Sequence, residues 1–135
     1  MKLALIGSRD FTDYESFKLA VLKVLSEDFK VMLIEISHIV SGGAKGADKL
    51  AERFADEFGI EKEIYPVTKE AYRLYGKAAP LKRNAQIVHV ATHLIAFPSR
   101  SGIGTQYTLR LAIEKNIPRK GLLSIKVQKI DLKFV

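Results

Sequence analysis

Short apolar runs and helix-period segments alternate along this chain, and no other feature restricts its fold as strongly. KLALIG (2–7) is an apolar run closed by glycine, as expected of a buried strand. The next segment places Phe17, Ala20, Val21, Val24 and Leu25 on one helical face. TDYE (12–15) has the spacing of a capping box at its start. EISHIV (35–40) predicts a second strand. Ala47, Leu50, Ala51, Phe54, Ala55 and Phe58 then recur at helical spacing, with Gly59 as the C-terminal stop. KEIYPV (62–67) predicts a third strand, ended by Pro66. Residues 68–79 have no clear period and read as a loop or a short helix. Pro80 suits the first residue of a helix over 80–91. THLIAFP (92–98) is a fourth strand, and a helix over about 105–116 halts ahead of Pro118. Alternation in 122–135 predicts one or two more strands, at a sheet edge or paired with a second subunit.

Strand followed by helix, repeated, predicts an α/β domain of Rossmann-like, three-layer type. Its sheet is mainly parallel, with helices on both faces. Ligands of such sheets sit at the carboxyl ends of the strands, near the point where strand order reverses. The 135 residues suffice for one domain, 1–135, with a single well-buried core.

No apolar run is long enough to span a bilayer, and residues 1–6 do not form a signal peptide. The expectation is a cytoplasmic protein with no membrane partner. The chain has no cysteine, which excludes disulfides and thiolate metal sites. The net charge of +7 favours an anionic partner. The basic residues are spread out, with no dense block of the kind found in nucleic-acid tails. Nucleic acid therefore ranks behind a small anion.

Three predicted strand ends carry unusual residues: Gly7-Ser8-Arg9-Asp10, then Ser41 to Asp48, then Ser99 to Thr105. Glycine lets backbone N–H groups approach a ligand without interference from Cβ. A helix beginning directly behind such a loop offers unpaired N–H groups to an anion. One such loop is explained by a tight turn alone; three at one sheet edge point to a phosphate or nucleotide site. Gly43 and Gly46 are expected to let the backbone close on phosphate. No loop is a Walker A sequence, and no G-x-G-x-x-G opens the first helix, which weakens the ATPase and NAD readings. Arg9 and Arg83 are the best candidate side chains. Arg83 falls in the first turn of a predicted helix, where the dipole disfavours a cation, so an anionic neighbour is expected. His38, His89 and His93 are scattered and no third ligand joins any pair, so no metal site is expected.

Four motifs in order resemble the SLOG superfamily, the Rossmann-like group that includes Smf/DprA and the Lonely Guy proteins. They are GSRDF, VSGGAKGAD, KRNAQIV and SGIGTQY, and they are most similar to those of its small YspA-like branch. The resemblance covers nearly the whole chain up to Gly121. It implies a nucleotide or nucleotide-derived ligand and no separate cofactor. Gly7, Ser8, Arg9, Ser41, Gly42, Gly43 and Asp48 would take part, with Arg83 and Asn84. Gly102, Gly104 and Thr105 would bind phosphate. Lonely Guy phosphoribohydrolases carry a catalytic glutamate where this chain has Thr108, so the resemblance implies their arginine, as Arg83, without its acidic partner.

The expected function is binding or sensing of a nucleotide-derived small molecule by a homo-oligomer. One alternative is an N-glycosidic hydrolase using Asp10, Asp48 or Glu114 as its acid. The other is single-stranded DNA binding of DprA type.

Overall fold

The computed structural model describes residues 1–97 and 103–121. Five parallel strands form one sheet in the order β3-β2-β1-β4-β5. They are β1 (Lys2–Gly7), β2 (His38–Ser41), β3 (Glu61–Ile64), β4 (His93–Phe97) and β5 (Arg119–Gly121). The connecting helices are α1 (Tyr14–Lys23), α2 (Ala47–Phe58), α3 (Lys69–Tyr75), α4 (Ala79–Val90) and α5 (Ile103–Lys115). This is the expected three-layer, Rossmann-like α/β domain.

Pleating divides the core into two. Leu3 and Leu5 of β1 pack with Phe17 and Ala20 of α1 and with Ala51 and Phe54 of α2. Ala4 and Ile6, pointing the other way, pack with Ile87 of α4 and Ala112 of α5. A strand covered on both faces must be apolar at every position, which is why KLALIG reads as a continuous run. β1 is the centre of the sheet, with Ala4 opposite Val40 on one side and Leu94 on the other. At its carboxyl end the Phe17 and Phe97 rings stack with centroids 4.4 Å apart, and Phe11 joins Phe97 at 5.2 Å. This cluster fixes the β1–α1 turn over the end of β4.

The helix boundaries follow local chemistry. Gly59 ends α2 in the left-handed region at φ 64°, its N–H returning to Ala55 and Asp56. The cap of α1 is Asp13, one residue later than the predicted Thr12. Asp13 accepts from the Ser16 backbone at 3.2 Å and from its hydroxyl at 2.8 Å. Aspartate caps as well as threonine, and Asp13 already has the extended backbone a cap requires.

Several other boundaries differ from expectation. A 3-10 turn over Leu33–Glu35 delays β2 until His38. β3 closes at Ile64, two residues before Pro66, whose nitrogen has no hydrogen to donate. Residues 68–79 supply the short helix α3, capped by the Thr68 hydroxyl. Pro80 is the second residue of α4, and α5 begins at Ile103. The last strand of the described sheet is β5, pairing parallel with β4. The strands expected within 122–135, and the subunit pairing expected of them, lie outside the described residues. Among the described residues no helix is long and apolar enough to cross a membrane.

Candidate functional site

The β1–α1 turn and the β2–α2 loop are stapled together at the carboxyl edge of the sheet. Ser8 donates its N–H to Phe97 O at 3.1 Å and accepts at its own carbonyl from Ala47 N at 2.9 Å. The Ser8 hydroxyl accepts from Asp10 N at 3.0 Å. Two glycines make this junction possible. A Cβ on Gly46, which has φ 75°, would lie 2.3 Å from Ser8 O. A Cβ on Gly7 would lie 2.2 Å from Phe97 O. Gly7, Ser8 and Gly46 therefore bring three chain segments together. The open side of Gly46 is filled by the Ser8–Arg9 backbone, so the approach this glycine permits is protein to protein.

Arg83 crosses from α4 onto this assembly. Its Nη1 donates to Gly42 O at 2.7 Å and to Tyr65 O at 3.2 Å, and its Nε donates to Asn84 Oδ1 at 2.7 Å. Nη2 has no hydrogen-bond partner among the described residues. The guanidinium thus closes the ends of β2 and β3 from above. A Cβ on Gly42 would lie 2.3 Å from Arg83 Nη1 and 2.8 Å from Asp48 Oδ2, so a side chain there would displace the guanidinium from its present position.

A cavity of about 350 Å³ opens beside this clamp, lined by Arg9, Gly42, Gly43, Ala44, Lys45, Pro66, Val67, Tyr72 and Arg83. Among the described residues, three cations and no carboxylate line it. Arg9 and Lys45 are exposed, and neither forms an ion pair among the described residues. Pro66, Val67 and Tyr72 complete the lining. The space is at the small end of the roughly 300–1,000 Å³ typical of small-molecule sites. A larger cavity of about 580 Å³ beside β5 is lined by none of the predicted site residues.

Asp48 is the anionic neighbour that the position of Arg83 led us to expect. It stands behind the loop at 4% exposure and accepts from Ala44 N at 3.2 Å. Burial pushes its carboxyl above the ordinary aspartate range, opposed by the charge of Arg83, the hydrogen bond from Ala44 N and the polar Ser41 side chain beside it. Burial likewise lowers the Arg83 guanidinium below its usual value, with Asp48 opposing. Ser41 is fully buried and donates to Leu5 O at 2.6 Å. Ser41 and Asp48 are therefore supports beneath the cavity.

Asn84 has a similar supporting place. Its oxygen accepts from Arg83, and its nitrogen donates to Thr108 Oγ1 at 3.0 Å. Thr108, fully buried, donates to Gly104 O at 2.9 Å. This chain links the first turn of α5 to the guanidinium. Thr108 was singled out in the sequence only as a missing acid, and its hydroxyl is a brace. Gly104 lies in that first turn and does not line the cavity. Thr105 belongs to α5, its side chain outside the described residues, as is Gly102 altogether.

Of the thirteen predicted residues, Arg9, Gly42, Gly43 and Arg83 line the cavity. Lys45, Pro66, Val67 and Tyr72 were not among them. The rule that ligands sit at strand carboxyl ends would have found Pro66 and Val67, which directly follow β3. Nothing in the aperiodic segment 68–79 set Tyr72 apart from the other tyrosines. None of the three carboxylates considered for hydrolysis lines the cavity. Asp48 is buried behind it, while Asp10 and Glu114 are exposed elsewhere.

The fold and the cavity define a Rossmann-like α/β domain with a small cationic cleft at its carboxyl edge. No family model matches the chain, and no solved structure matches it. The Gene 61 protein of Mycobacterium phage D29 is similar, with 36% identity over 85 residues. The match takes in 59% of this chain and 66% of the phage protein, so the chain spans just under two thirds of that relative's length.

Proposed function

We propose that this protein binds a nucleotide or nucleotide-derived small molecule, as the SLOG-like motifs suggest, with the anionic group held by Arg9, Lys45 and Arg83. The observation that carries this reading is the lining of the cavity. Three cations face it without a carboxylate, and one is already oriented by three hydrogen bonds to the protein. Preorganisation of this kind reduces the ordering cost of binding. The cavity size favours a ligand of about one nucleotide over a polymer.

Titration of mononucleotides and a labelled oligonucleotide at two salt concentrations tests the proposal. Mononucleotide binding should depend shallowly on salt, because few phosphates are neutralised. Arg9→Ala/Lys45→Ala should weaken it by roughly 2–4 kcal/mol, the range for the loss of charge-assisted hydrogen bonds. Both residues are exposed, so the variant should fold normally. Tight, steeply salt-dependent oligonucleotide binding without mononucleotide binding would replace the small-molecule reading with a nucleic-acid one.

A further inference from the structure

We propose that Tyr72 is the specificity-determining residue of this cavity, a stacking wall for the planar base of the ligand, carried on a helix that settles when the base arrives. The proposal rests on the small-molecule reading above and deepens it.

The cavity lining combines two kinds of group. Arg9, Lys45 and Arg83 supply charge, and Tyr72 is the only aromatic ring in the lining among the described residues. Tyr72 is 46% exposed, and among the described residues its ring has no aromatic or cationic partner. Tyr75, three residues on, shows the contrast, since Lys82 Nζ lies over its ring at 4.8 Å. A large exposed π-face at the mouth of a cationic cleft leaves apolar area uncovered that a base would cover. A phosphate alone would not. An anion on the cations, with a flat ring on Tyr72, uses both kinds of lining group.

The carrier is suited to movement. α3 has seven residues and buries none of them. A helix this short has little stability of its own. Its local ties are the Thr68 hydroxyl, accepting from Ala71 N at 3.0 Å, and the exposed Glu70–Arg73 ion pair at 2.7 Å. Gly76 ends it at φ 55° with nothing within 4 Å of a Cβ position. Elements with so few buried contacts are the first to shift locally. Beyond Lys82 of α4 over the Tyr75 ring, stacking on Tyr72 would add a second packing partner to α3.

The test compares AMP with ribose 5-phosphate, which carries the same anion without the base. The parent, Tyr72→Ala and Tyr72→Phe are titrated calorimetrically with both. The parent should prefer AMP by roughly 5- to 150-fold, the range given by base–aromatic stacking. Tyr72→Ala should bring that ratio close to one, weakening AMP far more than ribose 5-phosphate. Tyr72→Phe should retain the preference. Amide exchange in α3 should slow with AMP and not with ribose 5-phosphate. If both ligands bind equally to the parent, or Tyr72→Ala keeps the preference, the stacking proposal is overturned and the anion site stands. If the parent binds neither ligand, the anion site falls and the stacking wall with it.

Discussion

Replacing Gly46 with alanine should be among the most damaging single-methyl changes in this protein. The residue has φ 75° and ψ −130°, a combination that L side chains rarely adopt. Holding a non-glycine residue in such a region costs about 1–3 kcal/mol. The added methyl would also lie 2.3 Å from Ser8 O and 2.5 Å from the Arg9 carbonyl carbon. Both are backbone atoms, so rotation of a side chain cannot relieve the overlap. Relief requires the β2–α2 loop to lift from the β1–α1 turn, breaking the Ala47 N to Ser8 O bond of 2.9 Å. That bond is worth about 0.5–1.5 kcal/mol net. The expected destabilisation is therefore roughly 2–4 kcal/mol. Urea denaturation reads it as a midpoint lowered by about 1–2 M with the slope unchanged.

Two other glycines separate the causes. Gly59→Ala meets no neighbour within 4 Å but keeps φ 64°, so only the left-handed cost of about 1–2 kcal/mol applies. Gly104→Ala, in the first turn of α5 with no neighbour within 4 Å, should be neutral or stabilise by up to about 1 kcal/mol. If Gly46→Ala costs no more than Gly59→Ala, the close junction at Ser8 is refuted.

Asp48→Asn should change the pH dependence of stability in a defined direction. The folded carboxyl titrates above its unfolded value, so the folded state binds the extra proton. That contribution is full below the unfolded value near 4 and is lost as pH rises through the folded one. Chemical denaturation across pH 3–8 should therefore show the parent losing ground to Asp48→Asn as pH rises; a constant gap would refute this. Thr108→Val deletes the hydroxyl between Asn84 and Gly104 and leaves buried groups unpaired, at about 1–3 kcal/mol. It should also weaken nucleotide binding by loosening Arg83, whereas Thr108→Ser should restore both in melting and titration experiments. Phe54→Ala, in the buried face of α2, should cost about 3–5 kcal/mol in the same denaturation assay. Chromatography of nucleoside monophosphates incubated with the protein should show no free base, since no carboxylate lines the cavity among the described residues.

Periodicity made most of the architecture legible in the sequence. Strands buried on two faces must be apolar throughout, as in KLALIG. A helix buried on one face repeats its apolar residues at helical spacing, as from Ala47 to Phe58. Glycines with positive φ also leave a local signal, and Gly59 was identified as a helix stop on that basis. What a residue touches across the fold leaves none. GGAKGAD shows a chain that can turn tightly, but not that Gly46 rests on Ser8 or that Gly42 rests on the Arg83 guanidinium. KRNAQ shows an arginine near a helix start. Only the packing of α4 against the sheet directs its donors to Gly42 O and Tyr65 O and makes Asn84 its brace. Tyr72 is the extreme case, because α3 buries nothing and so has no periodicity to read. Its place in the cavity arises from where β3 ends and α4 begins. Local rules act over a few residues and are written in the spacing. The cavity gathers residues from 9 to 83, and only the parallel sheet order brings them to one edge.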